Sequence, residues 1–218
     1  MTTVSPNPLT QPTPTDPPPS PSPSTYPPPT RPCGAARPLA PPAVLPEDGG
    51  AKVLRVGDTT VRVRPVAPDD GAALGGVLER MSLRTRWLRF HSPVARLSQA
   101  QLRMLLDVDH HHRGVLVAEV GLGPARWQLI GFAQYARIGP DRADAAIVLE
   151  DAWQGRGIGK ALALELVTAA RRAGIAAFTS EILTENHRTL KFARALAARH
   201  EGRLLGITTE LTLWFDPA

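Results

Sequence analysis

Cysteine is almost absent from this 218-residue chain, which has only Cys33. A single cysteine excludes an internal disulfide framework and a thiolate metal cluster. No apolar run approaches the roughly 18 residues that a membrane span requires. The N-terminus also lacks the basic region and the apolar core of a signal peptide. These absences favour a cytoplasmic protein that does not associate with a membrane.

Acidic residues are also in the minority, with 20 Asp and Glu against 25 Lys and Arg and a net charge of +5. An excess of positive charge is compatible with binding to nucleic acid, to an acidic protein or to a polyanionic cofactor. A GC-rich genome would equally enrich a chain in Ala, Arg, Pro and Gly. Charge alone therefore does not decide the function.

Proline is abundant but confined, because 17 of the 23 prolines fall within residues 1–46. Such a stretch, mixed with Ser and Thr, cannot bury enough apolar surface to offset the entropy of ordering. We therefore predict a disordered Pro-rich arm over residues 1–50. Residues 51–218 are then the folded domain, which is long enough for one core.

Hydrophobic periodicity in the folded part predicts an alternation of strands and helices. Three strands in succession before the first crossover helix predict a mixed sheet of the α+β class. The pattern predicts a hairpin or one long strand at 53–66, helices at 69–81, 82–91 and 97–109, strands at 114–120, 129–138 and 144–150, a helix to about residue 173, a strand at 176–183, a helix at 184–200 and a hairpin at 202–216.

Residues 151–162, DAWQGRGIGKAL, combine three glycines with Arg156 and Lys160 at the start of a helical pattern. N–H groups at a helix N-terminus lack intrahelical acceptors and carry the positive end of the helix dipole. Glycine lets a large anion approach such a backbone closely. The stretch therefore predicts a phosphate or pyrophosphate site at 155–160. A tight turn that needs glycine for its geometry alone is the alternative.

Three phosphate-binding patterns compete for this loop. A P-loop needs a hydroxyl residue after Gly-Lys, whereas Ala161 follows Lys160 here. A dinucleotide fingerprint must abut its strand, whereas EDAWQ intervenes and only about 60 residues follow the loop. The third pattern, Q-x-x-G-x-G, matches Gln154, Gly157 and Gly159.

With this pattern the chain resembles the GNAT family of N-acetyltransferases over residues 53–218. The segments RMSLRTRWLRFHSP, LSQAQLRMLLDVDH and RADAAIVLEDAWQGRGIGKAL resemble more narrowly the bacterial Pat-like protein-lysine acetyltransferases. The resemblance implies the GNAT fold, a central mixed, mostly antiparallel sheet flanked by helices. It implies acetyl-CoA as co-substrate, no metal, and a protein lysine as acceptor. Transfer to a small-molecule amine, or acyl-CoA binding without catalysis, are the alternatives.

The same resemblance implies which residues hold the acyl-CoA. The strand before the loop supplies backbone groups to the pantetheine arm and to the thioester oxyanion, across a gap from residues 178–181. The loop holds the pyrophosphate. An Asn at the start of the next helix either contacts pantetheine or only caps the helix. The implied cofactor-binding residues are Ile147, Val148, Leu149, Gln154, Gly155, Arg156, Gly157, Ile158, Gly159, Lys160 and Asn186.

The implied reaction is direct attack of an amine on the thioester, assisted by a general base. Asp144 stands where the Pat-like pattern has Glu, and Glu181 matches a second acidic position, so both are candidate catalytic residues. Exposed carboxylates at strand ends are the alternative. Many family members have a Tyr in the last long helix as general acid, whereas this helix holds Phe192.

Two further features receive structural interpretations. The consecutive His110, His111 and His112 cannot all face one ion, so we predict no metal site. Residues 79–91 interleave arginines with Trp87 and Phe90, a pattern that nucleic-acid binding would also produce. We interpret it as a helix pair with inward aromatics and outward arginines, and predict no nucleic-acid partner. By resemblance, the segment borders the acceptor groove.

Overall fold

The computed structural model describes residues 50–92, 95–123 and 126–215. The predicted Pro-rich arm, up to residue 49, lies outside the described residues. The elements are β1 (Lys52–Val56), β2 (Thr59–Pro65), α1 (Gly71–Glu79), α2 (Leu83–Phe90), α3 (Gln99–Leu106), β3 (Arg113–Gly123), β4 (Arg126–Arg137), β5 (Arg142–Leu149), α4 (Ile158–Arg172), β6 (Ala177–Leu183), α5 (His187–Arg194), β7 (Arg199–Leu205) and β8 (Thr208–Trp214).

The described strands form one eight-stranded sheet in the order β1-β2-β3-β4-β5-β6-β8-β7. Every neighbouring pair is antiparallel except β5 and β6, which are parallel. The predicted mixed, mostly antiparallel sheet of the α+β class is therefore confirmed. The parallel pair is joined by a crossover through α4, as parallel strands require.

Helices cover both faces of this sheet. The apolar stripe of α4, with Ile158, Leu162 and Leu166, packs on one face against strand residues such as Val61 and Ile130. On the other face, α1 and α3 pack against β3, β4 and β5 in a second cluster. A third cluster joins α5 to β6 and β8. Burial of apolar surface in these clusters stabilises the fold by about 25 cal/mol per Å², and the first two clusters cover opposite faces of β5.

Local capping follows the sequence closely. Ser82 caps α2 by accepting a hydrogen bond at Oγ from the Thr85 N–H, at 3.1 Å. Ser98 caps α3 in the same way, from the Gln101 N–H at 3.2 Å. Each cap satisfies an N–H that the first turn of a helix leaves without an acceptor.

A charged cluster joins β2 to the start of α1. Arg64 donates to both carboxylate oxygens of Asp70, at 2.7 and 2.8 Å, and also to Glu119 at 2.9 Å. Arg62 donates to the same Glu119 at 2.6 Å. The hydrogen bonds from Arg64 lower the pKa of Asp70, although burial opposes the shift. Asp70 is therefore ionised at neutral pH, and the side chains of Asp70 and Glu119 are both buried.

The C-terminal third departs from the prediction at one helix. The predicted helix over 184–200 is wrong at both ends, because α5 covers only His187–Arg194. Asn186 caps it and prevents an earlier start, and its end is set by β7, which pairs Arg199 with Trp214 of β8. Cross-strand pairing overrides the helix propensity of the Ala-rich stretch between them. The predicted closing hairpin is confirmed, and it begins at residue 199.

Candidate functional site

The parallel strands β5 and β6 part after a short contact. Their ladder pairs only Arg142–Asp144 with Ala177–Thr179. Immediately beyond it, Ser180 donates a hydrogen bond from Oγ to the Ala145 carbonyl oxygen, at 2.7 Å. From there the two strands diverge around an open groove of about 750 Å³. The anticipated gap beside residues 147–149 is thus present, but Phe178 and Thr179, which were expected to face it, are paired with β5 instead, so the gap opens only beyond Ser180.

The backbone of β5 alternates between its two neighbours. The Glu150 N–H donates to the Ile130 carbonyl of β4, and the Ala145 carbonyl accepts from β6. Because alternate residues of a strand direct their backbone groups to the same edge, Ile147 and Leu149 present theirs to the groove. By the same rule Val148 presents its groups to β4, and its side chain is buried under the helices of the other face.

The glycine loop lies where the groove meets α4. Gly155 and Gly157 have φ of 76° and 90°, a backbone conformation that is costly for any residue with a Cβ. Gly157 is the N-cap of α4, and its carbonyl accepts the first bond, from the Ala161 N–H. Among the hydrogen bonds of the described residues, none uses the six N–H groups from 155 to 160. The loop therefore presents a cluster of free donors at the positive end of a helix dipole.

The predicted loop residues divide into those that face the groove and those that do not. Gly155, Gly157, Gly159 and Lys160 line the groove. Ile158 is completely buried in the α4 cluster, where it anchors the first turn, so only its N–H is offered. Arg156 is not among the lining residues, and its guanidinium lies 4.9 Å from the ring centroid of Trp153.

Gln154 fastens this loop to the rest of the site. Its Nε2 donates to the Leu149 carbonyl oxygen at 2.9 Å, and its Oε1 accepts from Arg188 at 3.2 Å. Arg188 lies in the first turn of α5, lines the groove, and reaches within 3.2 Å of where a Cβ on Gly155 would stand. The sequence reasoning missed Arg188, whose signal is a basic residue two positions after Asn186.

The two candidate acids lie on one face of the sheet. Ala143 and Ala145 of β5 and Phe178 of β6 belong to the α4 cluster, so Asp144 and Glu181 project to the opposite face, towards α2. Glu181 lines the groove and accepts a hydrogen bond from the Thr208 hydroxyl at 2.6 Å. Asp144 stands beside the groove rather than among its lining residues.

Asp144 has a perturbed environment although it remains accessible to solvent. Desolvation by the surrounding protein raises its pKa, the positive charge of Arg89 opposes that shift, and the negative charge of Glu181 adds to it. A carboxylate with a raised pKa is a better proton acceptor than an ordinary aspartate.

Asn186 and Phe192 both line the groove, whereas Tyr135 lies outside it. The Asn186 side chain accepts a hydrogen bond from the Thr189 N–H at 3.1 Å, so it caps α5 and also lines the groove. Phe192 lines the groove, and within the described residues no tyrosine does. Tyr135 instead donates its hydroxyl proton to the His110 carbonyl at 2.7 Å.

The histidine run forms a turn that Asp109 organises. The Asp109 carboxylate accepts hydrogen bonds from the N–H groups of His111, His112 and Arg113. Across residues 50–92, 95–123 and 126–215, no three His, Cys, Asp or Glu side chains are grouped as metal ligands. None of the helices described there is long and apolar enough to cross a membrane.

Comparison with known proteins agrees with this arrangement. The family model described as the acetyltransferase (GNAT) family matches residues 81–198. Acetyltransferase Pat of Mycolicibacterium smegmatis is 35% identical over 140 residues, which are 62% of this chain and 40% of that protein. The GNAT domain of S. lividans PAT superposes with a TM-score of 0.69 at 27% identity, covering 79% of this chain and all of that one.

A Salmonella typhimurium structure solved with acetyl-CoA shares the fold at 17% identity, with a TM-score of 0.56 over 72% of this chain and 95% of that one. The chain belongs to the GNAT family of acetyltransferases. The resemblance to the Pat-like branch is likewise confirmed. The chain spans less than two thirds of the length of the curated relatives that it matches.

Proposed function

We propose that this protein is an acetyl-CoA-dependent N-acetyltransferase that modifies a lysine side chain of a protein. The observation that carries the proposal is the row of free N–H donors from 155 to 160 at one end of the groove between β5 and β6. Such donors at a helix N-terminus suit a diphosphate. The groove runs between two separated strand edges, which suits an extended arm that ends in a thioester.

The strand edges define how that arm would lie. Ile147 presents its backbone N–H and carbonyl, and Leu149 its N–H, for pairing with an amide-containing chain in place of the missing β6 ladder, whereas the Leu149 carbonyl already accepts from Gln154. Lys160 and Arg188 line the groove near the loop and add positive charge for the phosphates. Asn186, besides capping α5, reaches the same groove from the facing side. The Val148 side chain contributes packing rather than hydrogen bonds to this arrangement.

The reaction then requires the acceptor nitrogen to lose two protons, one from the ammonium before attack and one as the amide forms, and the second passes to the solvent that protonates the leaving thiolate. A lysine amine is protonated at neutral pH, so Asp144, with Glu181, accepts its proton directly or through a water. The free amine attacks the thioester carbonyl, a C–N bond forms and the C–S bond breaks. An N–H of β5 facing the groove stabilises the oxyanion in the transition state. CoA leaves as the thiolate and takes its proton from solvent, since no described tyrosine lines the groove.

Acyl-CoA binding without transfer is the second candidate. The absence of a tyrosine in the described groove, and an aspartate where the related enzymes carry a longer glutamate, both favour it. The remaining alternative is a small-molecule amine as acceptor. The predicted cytoplasmic location stays a prediction, as does the absence of nucleic-acid and membrane partners.

One experiment separates these readings. The purified chain is first titrated with acetyl-CoA by calorimetry, and then incubated with radiolabelled acetyl-CoA and cell lysate. Label in protein lysines supports the proposal, and label in small amines supports the alternative acceptor. Binding without label supports the second candidate. If no heat of binding is detected, the acyl-CoA assignment itself is wrong.

A further inference from the structure

A second cavity lies next to the groove on the α2 and α3 side of the sheet. It has a volume of about 270 Å³, and we call it the α3 pocket. Its walls are mostly apolar, and its polar groups are donors or amides, with no acidic residue among the lining side chains. Its lining residues include Arg89, Phe90, Gln101, Arg113 and Gln134.

Arg89 is the residue that the α3 pocket and the groove share. Its Nε is buried and has no hydrogen-bond acceptor within the described residues. Arg89 also takes part in none of the ion pairs that those residues form. The guanidinium carbon of Arg89 lies 5.0 Å from the ring centroid of Phe90, which is a cation–π contact.

Arg86, on the same helix, differs from Arg89 because its guanidinium is hydrogen-bonded to main-chain carbonyls. Arg86 folds back and donates to the Met81 carbonyl at 3.0 and 3.1 Å and to the Ala95 carbonyl at 3.2 Å. Arg89 has no such partner, and a buried charge without a partner costs free energy. The cost is recovered if a ligand anion enters the pocket. Asp144 acts on Arg89 electrostatically but forms no ion pair with it.

We propose that Arg89 binds a carboxylate of the acceptor in the α3 pocket while the acceptor amine lies in the groove. This inference rests on the proposed function and names the acceptor class. Arg113, Gln101 and Gln134 line the same pocket and offer further donors. The carboxylate comes from an Asp or Glu side chain close to the target lysine, or from the α-carboxylate of a free amino acid. Both sources present the same planar anion to a guanidinium fork.

The test compares acceptors that differ only in that charge. Lysine peptides with Glu or Gln at each position from −3 to +3 form one arm, and free lysine with lysinamide forms the other. The ratio of kcat/KM for acid over amide is measured for the wild type, R89Q and R103Q. A charge-assisted hydrogen bond predicts a ratio of about ten or more in at least one arm for the wild type. R89Q brings the ratio to about one by removing the charge.

The ratio isolates recognition from any effect of Arg89 on Asp144, because an altered general base changes both rates equally. R103Q is the matched control, since Arg103 is exposed on α3 and lines neither cavity; it keeps the wild-type ratio. The arm with the high ratio identifies the source of the carboxylate. A wild-type ratio near one in both arms, or an unchanged ratio in R89Q, overturns the inference.

Failure of the proposed function is recognised separately. If the wild type transfers no acetyl group, the same acid and amide compounds are titrated by competition against a fluorescein-labelled Glu peptide, read by anisotropy with CoA present. Tighter binding of the acid compounds that R89Q abolishes and R103Q retains supports the carboxylate site without catalysis. Equal binding of acid and amide compounds overturns it.

Discussion

Gln154 donates a hydrogen bond to the main-chain carbonyl of Leu149 across 2.9 Å, and this bond ties the glycine loop to the end of β5. The loop and the strand edge are therefore positioned by one side chain. Its other end accepts from Arg188 of α5. The glutamine of the Q-x-x-G-x-G pattern thus orients the site, and a residue outside that pattern supplies a cation.

Substitution of Arg188 by Gln is expected to weaken acetyl-CoA binding by about three- to tenfold, since it removes one cation near the phosphates. Calorimetry at two ionic strengths measures the change, which shrinks at high salt because screening already weakens the lost interaction. R172Q, with the same charge change at the exposed far end of α4, is the control. Equal losses in both variants would show that only net charge matters.

Gly159→Ala is expected to raise the stability of the fold and to lower the affinity for acetyl-CoA. Gly159 is helical, and a Cβ there would meet no atom within 4 Å, so alanine stabilises the fold by about 0.5–1 kcal/mol. The methyl group would occupy the space where we propose the diphosphate, so acetyl-CoA affinity falls by about tenfold or more. Gly75→Ala, equally unhindered in α1, raises the melting temperature alone. Unchanged affinity in Gly159→Ala would contradict the phosphate site.

Asp144→Asn is expected to lower kcat/KM by about 10²-fold or more while acetyl-CoA affinity is kept. A base works only when deprotonated, so the wild-type rate falls as pH drops through the raised pKa, which lies above the ordinary value of 3.8. The variant loses this acidic limb of the pH profile. Asp141→Asn, an exposed neighbour, retains it. An identical limb in the Asp144 variant would assign the titration to another group.

Asp70→Asn is expected to destabilise the fold by about 1.5–3 kcal/mol at neutral pH, because Arg64 loses its charge-assisted hydrogen bonds to Asp70 and keeps only those to Glu119. The Asp70 pKa is lowered in the folded state, so its contribution is full above about pH 3.8 and is lost as pH falls through the folded pKa. Urea unfolding at pH 7 and pH 3 measures both. Asp69→Asn, exposed next to it, changes stability by less than about 0.5 kcal/mol.

Elements with strong local signals were predictable, and those decided by long-range contacts were not. Ser82 and Ser98 indicate where their helices begin, because a capping hydrogen bond involves only the next few residues. The end of α5 depends on the pairing of Arg199 with Trp214, which the Ala-rich stretch before it does not reveal. In the site, the glycines are visible in the sequence, whereas Arg188 and Arg89 acquire their positions from packing between distant elements.

Because the β5–β6 ladder is short, it connects the two parts of the sheet weakly. Among the described residues, only three ladder pairs join the first five strands to the last three, so the C-terminal strands are expected to exchange their amide hydrogens through a local opening that spares β2 to β4. A ligand that pairs with the edges of both strands would take the place of the missing ladder. It would slow amide hydrogen exchange most in β6 and β8. The proposed co-substrate would then complete the sheet when it binds, and its release after each turnover would loosen the C-terminal strands again.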